Sequence, residues 1–101
     1  MRDLKMIRHV VFFSAKDKAD VNTIVEGLSI LKTIPHSEHF EVSYNLNADE
    51  LSADAVDVVV YAEFADEEKL AAYKEHPTYQ ESIARVRPIR ELRLAADFKA
   101  N

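Results

Sequence analysis

Residues 6 to 14 of this chain read "MIRHVVFFS", and residues 55 to 64 read "AVDVVVYAEF". In an extended backbone, Ile7, His9, Val11 and Phe13 share one side of the first segment, while Arg8, Val10 and Phe12 share the other. In the second, Val56, Val58, Val60, Ala62 and Phe64 form one side, and Val59 and Tyr61 interrupt the polar residues opposite them. A strand that is apolar on both sides has to be covered on both. No other feature restricts the fold as much.

The remaining segments supply one cover. From Asp20 the apolar residues fall at Val21, Ile24, Val25, Leu28 and Leu31, the spacing of a helical stripe, with Asp17 or Asp20 placed to cap it and Pro35 to stop it. Gly27, the single glycine, sits inside this helix and predicts a close approach to the sheet. "HFEVSYNL", residues 39 to 46, alternates as a half-exposed edge strand does. Asp66 caps a second helix and Pro77 ends it, with a short helix restarting at the proline and carrying Tyr79, Ile83 and Val86 on one side. After Pro88, Leu92, Leu94, Ala96 and Phe98 alternate with Arg93, Ala95 and Asp97 as a closing strand.

The order strand, helix, strand, strand, helix, strand is the ferredoxin-like βαββαβ pattern of the α+β class. Right-handed crossovers put both helices on one face of an antiparallel sheet and leave the other face bare. The simplest cover for that face is the same face of a second chain, which predicts a homodimer, a dimeric α/β barrel with an enclosed space between its two sheets. With 101 residues and 48% hydrophobic content, one domain over residues 1–101 with its core in about 6–98 is expected.

Eighteen acidic against thirteen basic side chains leave a net charge of -5, which argues against nucleic acid or an anionic membrane as partner. Ten acids and no Lys or Arg lie between Lys32 and Lys69, whereas Arg85, Arg87, Arg90 and Arg93 gather near the C-terminus, where they suit ligand steering or subunit pairing. There is no cysteine, hence no disulfide or thiol nucleophile. The apolar run Val10 to Phe13 is too short for a signal-peptide core or a membrane span, so a cytoplasmic protein is expected. No glycine-rich phosphate loop or nucleophile elbow is present, and no cofactor is implied. His36 and His39 form an H-x-x-H, but side chains three apart on a strand point to opposite faces, so no metal site is assigned.

His9 is the remaining candidate. A histidine on an apolar strand face is ordinarily a satisfied core residue, and strand parity leaves open whether His9 faces the helices or the space between sheets; on this reading only the second makes it functional. If Leu92 and Leu94 pack against the helices, Arg93 looks into the same space and favours an anionic or carbonyl-bearing ligand; a rim salt bridge across the dimer is the alternative.

"IRHVVFF", "LKTIPHSEHFEVSYN", "FADEEKLAAYKEHPTY" and the closing "LAADF", taken in order, resemble the stress-responsive α/β barrel (Dabb) family over nearly the whole chain. The resemblance implies the dimeric barrel described above, with the first-strand histidine facing a cavity. By similarity to the plant polyketide cyclases of that family, His9 and Tyr73 take the positions of residues that surround the substrate, while the second histidine of those enzymes is replaced by Tyr79. A phenol with a reference pKa of about 10 does not accept a proton at neutral pH as an imidazole does, which argues against the same aldol cyclisation.

Three readings follow. The first is a homodimer with a cavity for a small hydrophobic or anionic ligand, in which His9 and Tyr73 are catalytic candidates and Val11, Phe13, His76, Tyr79 and Arg93 contact the ligand, its activity left open, with a cyclase-like, lyase or oxygenase activity on an aromatic or carbonyl substrate as the enzymatic alternative. The second is a non-enzymatic stress or accessory protein with a filled barrel. The third is a haem-handling protein or oxygenase of the same architecture.

Overall fold

The computed structural model describes residues 6–101, so the first five residues of the expected domain lie outside the described residues. Four strands and three α-helices alternate in the order β1 (Ile7–Ala15), α1 (Val21–Ser29), β2 (His39–Tyr44), β3 (Val58–Phe64), α2 (Glu67–Glu75), α3 (Pro77–Val86) and β4 (Arg90–Lys99). The sheet is antiparallel throughout, in the order β2-β3-β1-β4, which is the ferredoxin-like arrangement. The two segments that are apolar on both sides occupy its centre, and β2 runs along one edge.

Register decides which side of each strand meets the helices. His9 lies opposite Ala62 and Asp97, Val11 opposite Val60 and Ala95, and Phe13 opposite Val58 and Arg93. These residues share the helix-covered face, and the β1 and β3 members of the set are buried with Ile24, Leu28, Leu31, Ile34 and Val86. Fully burying an aliphatic or aromatic side chain of this size contributes about 1.5 to 3 kcal/mol, so this layer is a main source of the chain's stability. The opposite face presents Val10, Phe12, Val59, Tyr61, Leu94, Ala96 and Phe98, and among the described residues no helix lies over it. There Leu94 is 59% and Phe98 49% exposed.

The apolar stripe of β4 thus belongs to the bare face. Leu92 and Leu94 do not pack against the helices, and Arg93 points to the helix side, the reverse of the arrangement that would send it between sheets.

The local stops behave as their chemistry requires. The Asp66 carboxylate accepts from the Lys69 amide at 2.9 Å at the start of α2. Asp17 caps the short 3-10 turn Lys18–Asp20, whereas Asp20 makes no side-chain cap. Gly27 differs from expectation: its close neighbour is α3, not the sheet. A Cβ there would stand 2.8 Å from Val86 Cγ2 and 3.3 Å from Arg85 Cβ. The Ser82 hydroxyl donates to the Gly27 carbonyl at 2.8 Å and ties the two helices at this point. Among the described residues no helix is long and apolar enough to cross a membrane.

Candidate functional site

Position 76 divides the second helical segment. The residue before a proline is pushed out of the helical region, and His76 accordingly takes φ -66° and ψ 139°. Its Nδ1 accepts from the Thr78 amide at 3.1 Å and so caps α3. The break lets helices on both sides of it turn a tyrosine inward. Tyr73, the one buried residue of α2, meets Tyr79 of α3 edge-on at 5.2 Å between ring centres and lies 4.9 Å from the ring of Phe64.

Beneath these rings lies His9, only 2% exposed, with its ring 6.1 Å from that of Tyr73 and 6.2 Å from Phe64. Asp97 of β4 faces it across the sheet, and His9 Nδ1 is 2.5 Å from Asp97 Oδ1. With the carboxylate ionised, Nδ1 carries the hydrogen and Nε2 keeps its lone pair. Burial lowers the His9 pKa, and the nearby charges of Lys74 and Arg93 add to this; the Asp97 hydrogen bond and charge oppose it without reversing it. The net effect favours the neutral ring. Lys74 Nζ lies 3.9 Å from the second oxygen of Asp97 and shares that carboxylate. The phenol of Tyr73 is shifted in the other direction, its pKa raised by burial, so it stays protonated.

These groups border a cavity of about 280 Å³. Its floor is His9, Val11 and Phe13 of β1 with Val60 of β3; its walls are Leu28, Leu31, Tyr73, Tyr79, Ser82 and Ile83. Arg87, Arg90 and Arg93 border it at the β4 side. Arg93 Nη2 donates to the Tyr79 hydroxyl at 3.3 Å. Among the described residues neither His9 Nε2 nor the Tyr73 hydroxyl has a protein hydrogen-bond partner, and neither is sealed from the cavity. His9 and a protonated phenol thus border one small cavity that is apolar at its floor and cationic at its β4 side.

Five of the residues expected near a ligand besides His9 border this cavity: Val11, Phe13, Tyr73, Tyr79 and Arg93. The location differs from expectation. The cavity lies between the sheet and the helices of one chain, not between two sheets, because His9 shares the parity of β1 that faces the helices. His9 thus faces the helices of its own chain and borders this cavity. His76 is outside the cavity lining, committed to its cap and to an edge-on contact with His36 at 6.3 Å. His39 turns away from His36, to Glu41 Oε2 at 2.8 Å.

The sequence reading used Asp97 only within the closing strand and its "LAADF" and assigned it no role; it lies 88 positions from its partner. The signal was its place in the closing strand, on the side opposite Leu94 and Phe98. Arg87 and Arg90 were visible only as members of a basic cluster.

Residues 7–100 match the family model of the stress responsive A/B barrel domain, Dabb. A dimeric ferredoxin-like protein of unknown function from Thermobifida fusca YX is 28% identical, with a TM-score of 0.76 over 93% of this chain and 90% of that one. A Dabb family protein with a ferredoxin-like fold from Mesorhizobium loti MAFF303099 is 26% identical, with a TM-score of 0.76 over 95% and 97%. The hydroxynitrile lyase of Passiflora edulis shares the fold at 16% identity, with a TM-score of 0.79 over 98% and 96%. The comparison with curated proteins gave no match.

Proposed function

We propose that this chain, which belongs to the stress-responsive A/B barrel (Dabb) family, works as a homodimer in which each subunit holds its own small-molecule site around His9 and Tyr73. The observation that carries the reading is the His9–Asp97 pair. It holds the imidazole in the tautomer whose basic nitrogen, Nε2, is left for the cavity.

A carbonyl compound with its oxygen at the Tyr73 hydroxyl and an acidic C–H or O–H at His9 Nε2 fits this placement. The imidazole takes the proton, Asp97 stabilises the imidazolium that forms, and the phenol donates a hydrogen bond to the oxygen on which negative charge develops. Proton-transfer chemistry of the lyase or cyclase type is the reaction class in keeping with such a pair. The cavity volume lies at the lower limit of the roughly 300 to 1,000 Å³ usual for small-molecule sites, so the substrate is small.

Dimerisation is supported by the bare sheet face, whose exposed Leu94 and Phe98 lie beside half-buried Phe12 and Val10, and by relatives described as dimeric. The enclosed Arg8 Nε on that face, unpaired among the described residues, is in keeping with a further surface coming to rest there. A cytoplasmic location is part of the same reading.

The test is binding of small aromatic ketones and aldehydes, followed by calorimetry and thermal shift, to the native protein, His9→Gln and Tyr73→Phe. Native protein is expected to bind at least one member of the panel and each variant to bind it more weakly. Identical responses from all three proteins would remove the His9 site and favour the accessory-protein reading.

A further inference from the structure

The cavity has a charged end that the His9–Tyr73 chemistry does not use. Arg87 closes α3, Arg90 begins β4 and Arg93 lies three residues further on, and all three border the cavity. Among the described residues none of them is within ion-pairing distance of a carboxylate, although neighbouring Arg85 does meet Glu81, at 3.5 Å. Among the described residues no Asp or Glu lines the cavity.

In a chain with a net charge of -5, three cations gathered beside one cavity with no carboxylate partner among the described residues are a local reversal of sign. They also disfavour one another. Arg90 is held below its ordinary pKa by burial first and then by the charges of Arg93 and Arg87. The α3 dipole gives Arg87 a structural reason to stand at a helix C-terminus, but it gives none to Arg90 or Arg93, which are on the strand. A cationic cluster that costs the free protein stability is relieved by an anion placed among its members, and guanidinium groups suit the paired oxygens of a carboxylate or phosphate.

We infer that the ligand of this cavity is an amphipathic anion, its carboxylate or phosphate head held by Arg87, Arg90 and Arg93 and its apolar body lying on Val11, Phe13 and Leu31. This rests on the proposed His9–Tyr73 site and specifies what enters it. The head sits at the arginines, and the part of the ligand beyond the apolar body comes to Nε2 of His9. Tyr79 links the two, because its ring contacts Tyr73 while its hydroxyl accepts from Arg93.

Three matched probes separate the alternatives: 4-phenylbutyrate, 4-phenylbutyl phosphate and the neutral 4-phenylbutanamide, titrated calorimetrically into native protein, Arg87→Gln, Arg90→Gln and the double variant. Native protein is expected to bind at least one anion tenfold or more tightly than the amide, with the preference shrinking as salt is raised. Which anion binds better identifies the head group. Each single variant is expected to lose threefold or more in anion affinity and the double variant tenfold or more, with amide binding held within twofold, a control that the cavity is still formed. Arg87 is exposed, so its variant tests the idea without risk to the fold. Native protein that binds the amide as tightly as either anion, or variants that keep the anion preference, would overturn the inference and leave the His9–Tyr73 site standing. Failure of all three probes to bind would overturn both.

Discussion

His9 and Asp97 stand on neighbouring strands at directly opposed register positions, and their side chains meet at 2.5 Å although 88 residues separate them in the chain. The carboxylate is one-third exposed while the imidazole is buried, so the pair joins solvent to the cavity floor. The consequence for stability follows from burial, which outweighs the carboxylate and lowers the His9 pKa in the folded protein.

Unfolded chains bind a proton at a histidine with an ordinary pKa of about 6.5, and the folded protein resists that protonation. Stability from His9 is therefore fully present above the unfolded pKa and is lost as pH falls from there through the folded pKa. Urea unfolding at a series of pH values between 8 and 5 is expected to show native protein losing more stability than His9→Gln over this interval. Parallel curves for the two proteins would show that His9 does not titrate differently on folding.

Tyr73→Phe keeps the ring that anchors α2 against Phe64 and Tyr79 and removes a hydroxyl with no protein partner among the described residues. Its stability is expected to stay within about 1 kcal/mol of native, whereas Tyr73→Ala loses about 3 to 5 kcal/mol through the cavity it leaves. Chemical denaturation measures both. A Phe variant as unstable as the Ala variant would assign the hydroxyl a structural bond that this account denies.

Gly27→Ala gains up to about 1 kcal/mol in helix propensity but sets a methyl 2.8 Å from Val86 Cγ2 and 3.3 Å from the Arg85 Cβ. Overpacking of this kind costs about 1 to 3 kcal/mol, so a net loss of stability is expected. An alanine variant more stable than native in urea would mean that α3 yields at no cost.

Leu94→Glu places a carboxylate on the bare sheet face beside Phe12, far from the cavity parity. Sedimentation is expected to show a shift from dimer toward monomer. Because each cavity is built from one chain, binding to the monomer should remain within about threefold of native. A variant that sediments as native protein does would place the interface elsewhere.

Much of the fold was legible because two-sided apolarity marks central strands whatever surrounds them: Val58, Val60, Ala62 and Phe64 read as one buried side and are one. Asp66 and Pro77 marked the limits of α2 for reasons internal to the backbone. The side of the sheet on which the cavity lies was not legible. In β4 the apolar stripe is the side away from the helices, since Leu92, Leu94, Ala96 and Phe98 serve the bare face and the polar Arg93 and Asp97 serve the covered one. Periodicity shows that two sides differ but not which is covered, and strand register, which brings Asp97 to His9, is set by pairing across the whole chain.

The central claim is that His9 is a neutral base with Nε2 free at the cavity. Two-dimensional NMR of the imidazole nitrogens, in protein labelled at histidine, tests it at pH 7 with His9→Gln used for assignment. The account predicts that His9 shows a protonated Nδ1 and an unprotonated Nε2 whose signal moves when a ligand binds. A doubly protonated ring, or a hydrogen on Nε2 in place of Nδ1, would contradict it.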